Sequence, residues 1–219
     1  MAYFEETSPG CYLDASEQKD TDLCHPGEIR LLEATLDKYK TLNKSSVLDA
    51  GCGDGRFLTF FASLYNHVDC FDWSSAAVVK VEDKIRNYRI GHRVRVEKAT
   101  FASCTAQEEK GYDLIFLCHA VGYMTDAELV PMLLKAKGYL TGKDDARATR
   151  SKKANKSAAI CVLESLGQVG TTYEHKGQRI RPVKALSEIF EQAGLTIVGE
   201  SESTIVHQAY LPVKVWLLA

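Results

Sequence analysis

Short apolar runs rich in β-branched and aromatic residues alternate along this chain with segments whose apolar side chains recur every three or four positions. Such alternation marks repeated βα units, which lay their strands side by side in a parallel sheet. The runs "SSVLDAG" (45–51), "HVDCFDW" (67–73), "RVRVEKAT" (93–100), "YDLIFLCH" (112–119) and "SAAICVLES" (157–165) read as five strands, and "LTIVGESES" with "AYLPVKVWLLA" as a last pair. Between them, "GRFLTFFASLY", "SSAAVVKVEDKI", "TDAELVPMLLKAKGYL" and "RPVKALSEIFEQAGL" have helical spacing, and "PGEIRLLEATLDKYKTL" (26–42) forms an amphipathic helix ahead of the first strand. Ser74 and Thr125 are placed as N-caps, because a short hydroxyl side chain can accept from the free amides of a first turn. Pro182 falls in a first turn and Gly194 just past a last one, where each residue is favoured. The pattern predicts an α/β fold: a seven-stranded, mostly parallel sheet with helices on both faces.

Two segments break the rhythm. Residues 1–25 include the polar run "DASEQKDTDLCHPG" and read as an extended arm or lid. Residues 141–157, "TGKDDARATRSKKANKS", carry six Lys or Arg and two Asp and read as a flexible basic surface loop, with a docking patch as the sharper alternative. The whole chain, 219 residues, is expected to be one domain. Its net charge of −2 shows no global preference for nucleic acid, so any such binding would rest on the 141–157 loop. The longest nearly apolar run, "LIFLCHAVGYM", is too short for a membrane span, which needs roughly 20 residues. Seven cysteines without a CxxC pair point to free thiols, hence the cytosol or nucleus, and to no metal site. A monomer is expected.

The chemistry concentrates in "VLDAGCGDGRF" (47–57). Gly51, Gly53 and Gly55 follow a buried-type strand and precede a helix, a context in which backbone can close on a ligand. A dinucleotide site would need GxGxxG, and a P-loop its lysine; here the spacing is GxGxG and Arg56 stands where the third glycine would. Asp49, two residues before the first glycine, faces a cation better than a phosphate. A ligand with a positive centre, an adenosine and no phosphate satisfies these features, and S-adenosylmethionine is that ligand. Asp72, ending the second strand, is placed to accept from both ribose hydroxyls. Trp73 covers the adenine or merely packs. Arg56 clamps the methionine carboxylate or is a solvated arginine. Ala102 and Ser103 after the third strand, and Cys118 at the end of the fourth, complete the expected cofactor set. Together these features predict a Rossmann-like class I methyltransferase.

The stretches "GDGRF", "VDCFDWS", "YDLIFLCHAVGYMTDAELVPMLLKAKGYL", "RPVKALSEIFEQAGL" and "AYLPVKVWLLA" resemble those of the alpha-N-terminal protein methyltransferases, and "YFEETSPGCYLD" is similar to a shortened form of that family's arm. The resemblance implies a protein or peptide substrate with a free amino terminus. It matches Gly51, Gly53, Arg56 and Asp72 to the cofactor set and Tyr210 to a substrate-side tyrosine. His119 falls where the family has a channel-lining tryptophan, Tyr123 where its catalytic histidine stands, and Ser165 where it has an asparagine. Glu174 replaces one of two active-site aspartates; the other has no counterpart. His119, Tyr123 and Glu174 are thus the candidate catalytic groups, and His119, Ser165 and Tyr210 the substrate-side ones. Each has a bland alternative: core histidine, helix-entry packing, solvated loop acid. Other readings stay open: a methyltransferase of a small metabolite or a protein lysine, a cofactor-binding pseudoenzyme that serves as a partner subunit, or a nucleic-acid methyltransferase. The last lacks an Asn-Pro-Pro-Tyr-like clamp after the fourth strand.

Overall fold

A computed structural model describes residues 15–39, 42–105, 111–140, 158–167, 172–175, 177–206 and 212–219. The 141–157 loop, the first 14 residues and Tyr210 lie outside the described residues. Seven strands form one sheet: β1 (Ser46–Ala50), β2 (His67–Asp72), β3 (Val94–Lys98), β4 (Leu114–Cys118), β5 (Ala159–Ser165), β8 (Ile197–Val206) and β9 (Pro212–Leu218). Their order is β3-β2-β1-β4-β5-β9-β8. The first five are parallel; β9 inserts antiparallel between β5 and β8. This is the expected Rossmann-like class I methyltransferase fold. A short hairpin, β6 (Tyr173–His175) with β7 (Gln178–Ile180), was not legible in the polar stretch that forms it.

Period-two alternation along the central strands separates two cores. Leu48, Ile115, Leu117, Ile160, Val162 and Trp216 face one way, beneath α4 (Asp126–Gly138) and α5 (Val183–Gln192). Val47, Val68, Leu114, Phe116, Cys161 and Val215 face the other, beneath α1 (Ala15–Lys38), α2 (Leu58–Leu64) and α3 (Ser75–Tyr88). Phe57 and Phe61 of the α2 segment set their rings edge-on to Phe116, at 4.9 and 5.1 Å between centroids. Such pairs add directional attraction to area burial.

The helix ends follow their caps. Ser74 Oγ accepts from the Ala77 amide at 3.3 Å, and Glu128 Oε2 accepts from the Thr125 amide at 2.8 Å in a capping box. Gly194, at φ +64°, turns the chain out of α5. The helix α1 begins at Ala15, 11 residues before the expected start, inside the segment expected as an arm. Glu17, Gln18 and Lys19 are good helix formers, and a polar run reports only a lack of packing, not a lack of helix. No helix among the described residues is long and apolar enough to cross a membrane.

Beyond β4, a 3-10 turn at Val121–Tyr123 leads into α4. The hairpin is tied to it by Arg181, 1% exposed, whose guanidinium donates to Val121 O at 3.0 Å, to Met124 O and to Asp126 Oδ1 at 2.9 Å. A fully buried cation is tolerable because these acceptors replace its water.

Candidate active site

In a parallel sheet the crevice for ligands opens at the carboxyl ends of the strands where the strand order reverses, here between β1 and β4. The glycine turn stands at that point. Gly51, Gly53 and Gly55 have φ of +77°, +55° and +76°, the left-handed region that glycine enters without steric cost. The turn is pinned to β2: the Gly51 and Cys52 amides donate to Phe71 O at 2.9 and 3.0 Å, and the Gly53 amide donates to Asp72 Oδ2 at 2.9 Å. A Cβ added to Gly55 would lie 3.1 Å from Val81 Cγ2 of α3. Gly55→Ala is therefore expected to cost about 1–2 kcal/mol of folding stability through left-handed strain alone. Urea denaturation beside Gly91→Ala, whose backbone is not left-handed, checks this.

Asp72 is 3% exposed, and its second oxygen accepts from the Ser74 amide at 2.9 Å. Burial raises its carboxyl, while the amides of Ser74, Gly53 and Trp73 pull the other way. The same carboxylate thus joins the glycine turn to the start of α3 and retains lone pairs for further donors. Trp73 follows it, half-buried. Ala102 and Ser103 are exposed in the turn after β3; Ser103 Oγ accepts from the Thr100 amide at 3.0 Å.

Asp49, on β1 beneath the glycine turn, is 2% exposed, and its Oδ2 has no hydrogen-bond partner among the described residues. Burial pushes its carboxyl up to about 7, against the pull of Arg56 and with a push from Asp72. Buried oxygens are rarely left without a donor, so this one marks a place where a donor belongs.

Arg56 stands two residues before α2, in the turn rather than on the helix. Its guanidinium donates to Glu28 Oε2 of α1 at 3.1 Å and to Cys118 Sγ at 3.6 Å. Burial drives the Cys118 thiol well up, so it stays protonated. His119, next along, has φ +50° and both ring nitrogens engaged: Nε2 is 2.9 Å from Glu28 Oε1 and Nδ1 is 3.2 Å from Glu164 Oε1. Ser165, 8% exposed, ends β5 beside Glu164. Tyr123 Oη accepts from Gln178 Nε2 of the hairpin at 2.6 Å. Glu174 lies apart from these groups, 70% exposed and 3.5 Å from Arg179.

The structure therefore gathers Asp49, Gly51, Gly53, Arg56 and Asp72 around the glycine turn, with Cys118 and His119 alongside. It adds Glu28 and Glu164, which the sequence reading does not single out. Both carried a signal: Glu28 falls one turn before Leu32 and two before Thr35 on the buried side of α1, and Glu164 interrupts an apolar strand near its end. An acid on a buried face is expensive unless it is paired.

These residues fit S-adenosylmethionine. The unpartnered Asp49 oxygen suits its ammonium, Arg56 its carboxylate and Asp72 the ribose diol.

Residues 47–142 match the family model described as a methyltransferase domain. No curated protein matches the sequence. Among solved structures, the chain is similar to a SAM-dependent methyltransferase from Leishmania major, with TM-score 0.77 and 18% identity over 96% of this chain and 78% of that one. It is also similar to the geranyl diphosphate C-methyltransferase of Streptomyces coelicolor, with TM-score 0.68 and 13% identity over 92% and 82% of the two chains. A third is the Burkholderia thailandensis 1,6-didemethyltoxoflavin-N1-methyltransferase, with TM-score 0.64 and 17% identity over 94% and 78%. The chain thus has the Rossmann-like class I methyltransferase fold, and its residues 47–142 match a methyltransferase domain family.

Proposed function

We propose that the chain is an S-adenosylmethionine-dependent methyltransferase acting on the α-amino group of protein or peptide amino termini. The cofactor half rests on one observation: a buried carboxylate, Asp49, whose Oδ2 has no partner among the described residues, beneath three left-handed glycines. S-adenosylmethionine supplies a methyl group activated on a sulfonium. Asp49, Arg56 and Asp72 hold and orient it, and alignment of the attacking atom with methyl and sulfur provides most of the rate.

For the substrate half, the groups beyond the cofactor residues are acids. Glu28 and Glu164, 3% and 2% exposed, supply carboxylate acceptors that suit an ammonium. An α-amine, with a pKa near 8, is roughly a tenth neutral at pH 7, whereas a lysine amine is neutral only about once in 2500. Little machinery is needed to free its lone pair.

A second reading, a small-molecule substrate, is favoured by the names of two of the similar structures, a geranyl diphosphate and a didemethyltoxoflavin methyltransferase. Transfer of labelled methyl to synthetic peptides that differ only in a free or acetylated amino terminus separates the readings. Label in free peptides alone is the expected result. Label on lysine of blocked peptides, or on small acceptors alone, overturns it, as does cofactor binding with no transfer to any acceptor.

A further inference from the structure

Holding the cofactor occupies Asp49, Arg56 and Asp72 and leaves beside them a cluster of ionisable groups, the buried Glu28 and Glu164 and the partly buried His119. They meet at the carboxyl ends of the paired strands β4 and β5. His119 Nε2 is 2.9 Å from Glu28 Oε1, and Nδ1 is 3.2 Å from Glu164 Oε1. Both carboxylates can accept only if both ring nitrogens carry a proton, so the ring is an imidazolium. Burial works against that charge, but the hydrogen bonds to Glu164 and Glu28 outweigh it and push the ring up to about 9.

The two acids are held differently. Glu164 is built into the sheet: its Oε1 also accepts from the Ser165 amide at 3.0 Å and its Oε2 from the Gly122 amide at 3.2 Å. Lys214, its cross-strand partner on β9, is directed to Glu200 at 3.0 Å. Glu28 arrives from α1, outside the sheet, with its second oxygen held by Arg56 at 3.1 Å. His119 reaches both acids from a left-handed backbone, a conformation that is strained for a side-chain-bearing residue and recurs at functional sites.

Building on the α-amino reading, we propose that Glu164 is a positioning residue, holding Nδ1–H of His119 so that Nε2 meets the methyl-accepting nitrogen, and that Glu28 is the substrate-binding residue that seats its ammonium. In the free chain Glu28 and Glu164 are balanced by the imidazolium and Arg56. An ammonium entering between Glu28 and Nε2 adds a positive charge, and His119 releases its Nε2 proton to solvent. The neutral nitrogen then takes one proton from the ammonium, R–NH3+ + Im → R–NH2 + ImH+, which leaves a lone pair on the substrate. That pair forms the new N–C bond while the C–S pair goes to sulfur, so one proton leaves per methyl group, the one released at binding. The arrangement is that of a base oriented through its far nitrogen by a carboxylate.

The test follows the His119 ring by NMR through a pH titration of the full chain. Its midpoint is expected near 9, and to fall by about one pH unit or more in Glu28→Gln and in Glu164→Gln. A peptide with a free amino terminus, added with S-adenosylhomocysteine, should lower the midpoint in the wild-type chain; its acetylated twin should not. In turnover, Glu164→Gln should lower kcat about tenfold or more with KM little changed, and Glu28→Gln should raise KM about tenfold or more. A midpoint unmoved by either substitution, equal responses to the two peptides, or wild-type kcat in Glu164→Gln overturns the assignment. If Glu164→Gln does not fold, His119→Gln takes its place with the same expected loss in kcat. Label in free peptides together with wild-type kcat in Glu164→Gln sinks this assignment and leaves the α-amino reading standing. Label confined to blocked peptides sinks that reading, while the midpoints of the unliganded chain still test the cluster.

Discussion

Asp72→Ala is expected to weaken S-adenosylmethionine binding at least tenfold, about 1.4 kcal/mol, by calorimetry. Two losses combine. The ribose hydroxyls lose their paired acceptor, and the amides of Gly53 and Ser74, at 2.9 Å each, lose the oxygens that fix the glycine turn against α3. Hydrogen bonds from buried amides to a charged acceptor contribute about 1.5–3 kcal/mol each, so folding stability should fall by a few kcal/mol as well. Asp72→Asn separates the effects. Its amide keeps one acceptor oxygen and nearly the same shape, so it should recover part of the stability but little of the affinity. Unchanged affinity in both variants would remove the ribose role.

Asp49→Asn should stabilise the cofactor-free chain while costing it the cofactor. The Asp49 carboxyl is pushed up from 3.8 to about 7 by burial. Between those values the folded chain binds a proton that the unfolded chain has lost, so stability falls as pH rises through this window. The full cost, on the order of 4 kcal/mol, is reached above pH 7 and vanishes below pH 4. Asparagine is buried in the same place and keeps part of the penalty, which leaves a gain on the order of 2 kcal/mol. The urea midpoint of Asp49→Asn should therefore stand above that of the wild-type chain at pH 8, meet it as the pH falls through this window, and lie below it at pH 4. A gap that does not close would mean that the carboxyl is not held up by burial. The same carboxylate should make wild-type affinity for S-adenosylmethionine rise from pH 5 to pH 8, since the ammonium is bound by the ionised form.

The sheet was legible because its strands carry their burial in their composition. "VLDA", "CFD" and "LIFL" are buried on both faces and read as apolar runs. The glycine turn was legible because glycine enters left-handed φ at little cost, and Asp49 and Asp72 stood out because they fall near strand ends, beside the crevice. Glu28 and Glu164 were not. Glu28 lies on the buried side of an amphipathic helix and Glu164 inside an apolar strand, and what makes them tolerable, an imidazole brought from the end of β4, is 91 and 45 residues away in the chain. Local patterning registers an acid on a buried face but not its distant partner. The hairpin escaped for the opposite reason: its strands of three residues carry no period, and Arg181, which anchors it, looks like any surface arginine until its carbonyl partners are known.

One contact at the far edge of the sheet bears on all of this. Gly199 lies at an irregularity in β8, and any side chain there would run into the ring of Tyr39, just past α1. Lys38 of the same helix donates to Ser201 at 3.0 Å, so the edge strand fastens one end of a rod whose other half carries Glu28. Bulk at position 199 would lever that rod away from the sheet. A lesion remote from every reacting atom would then register as a change in proton affinity at the heart of the crevice.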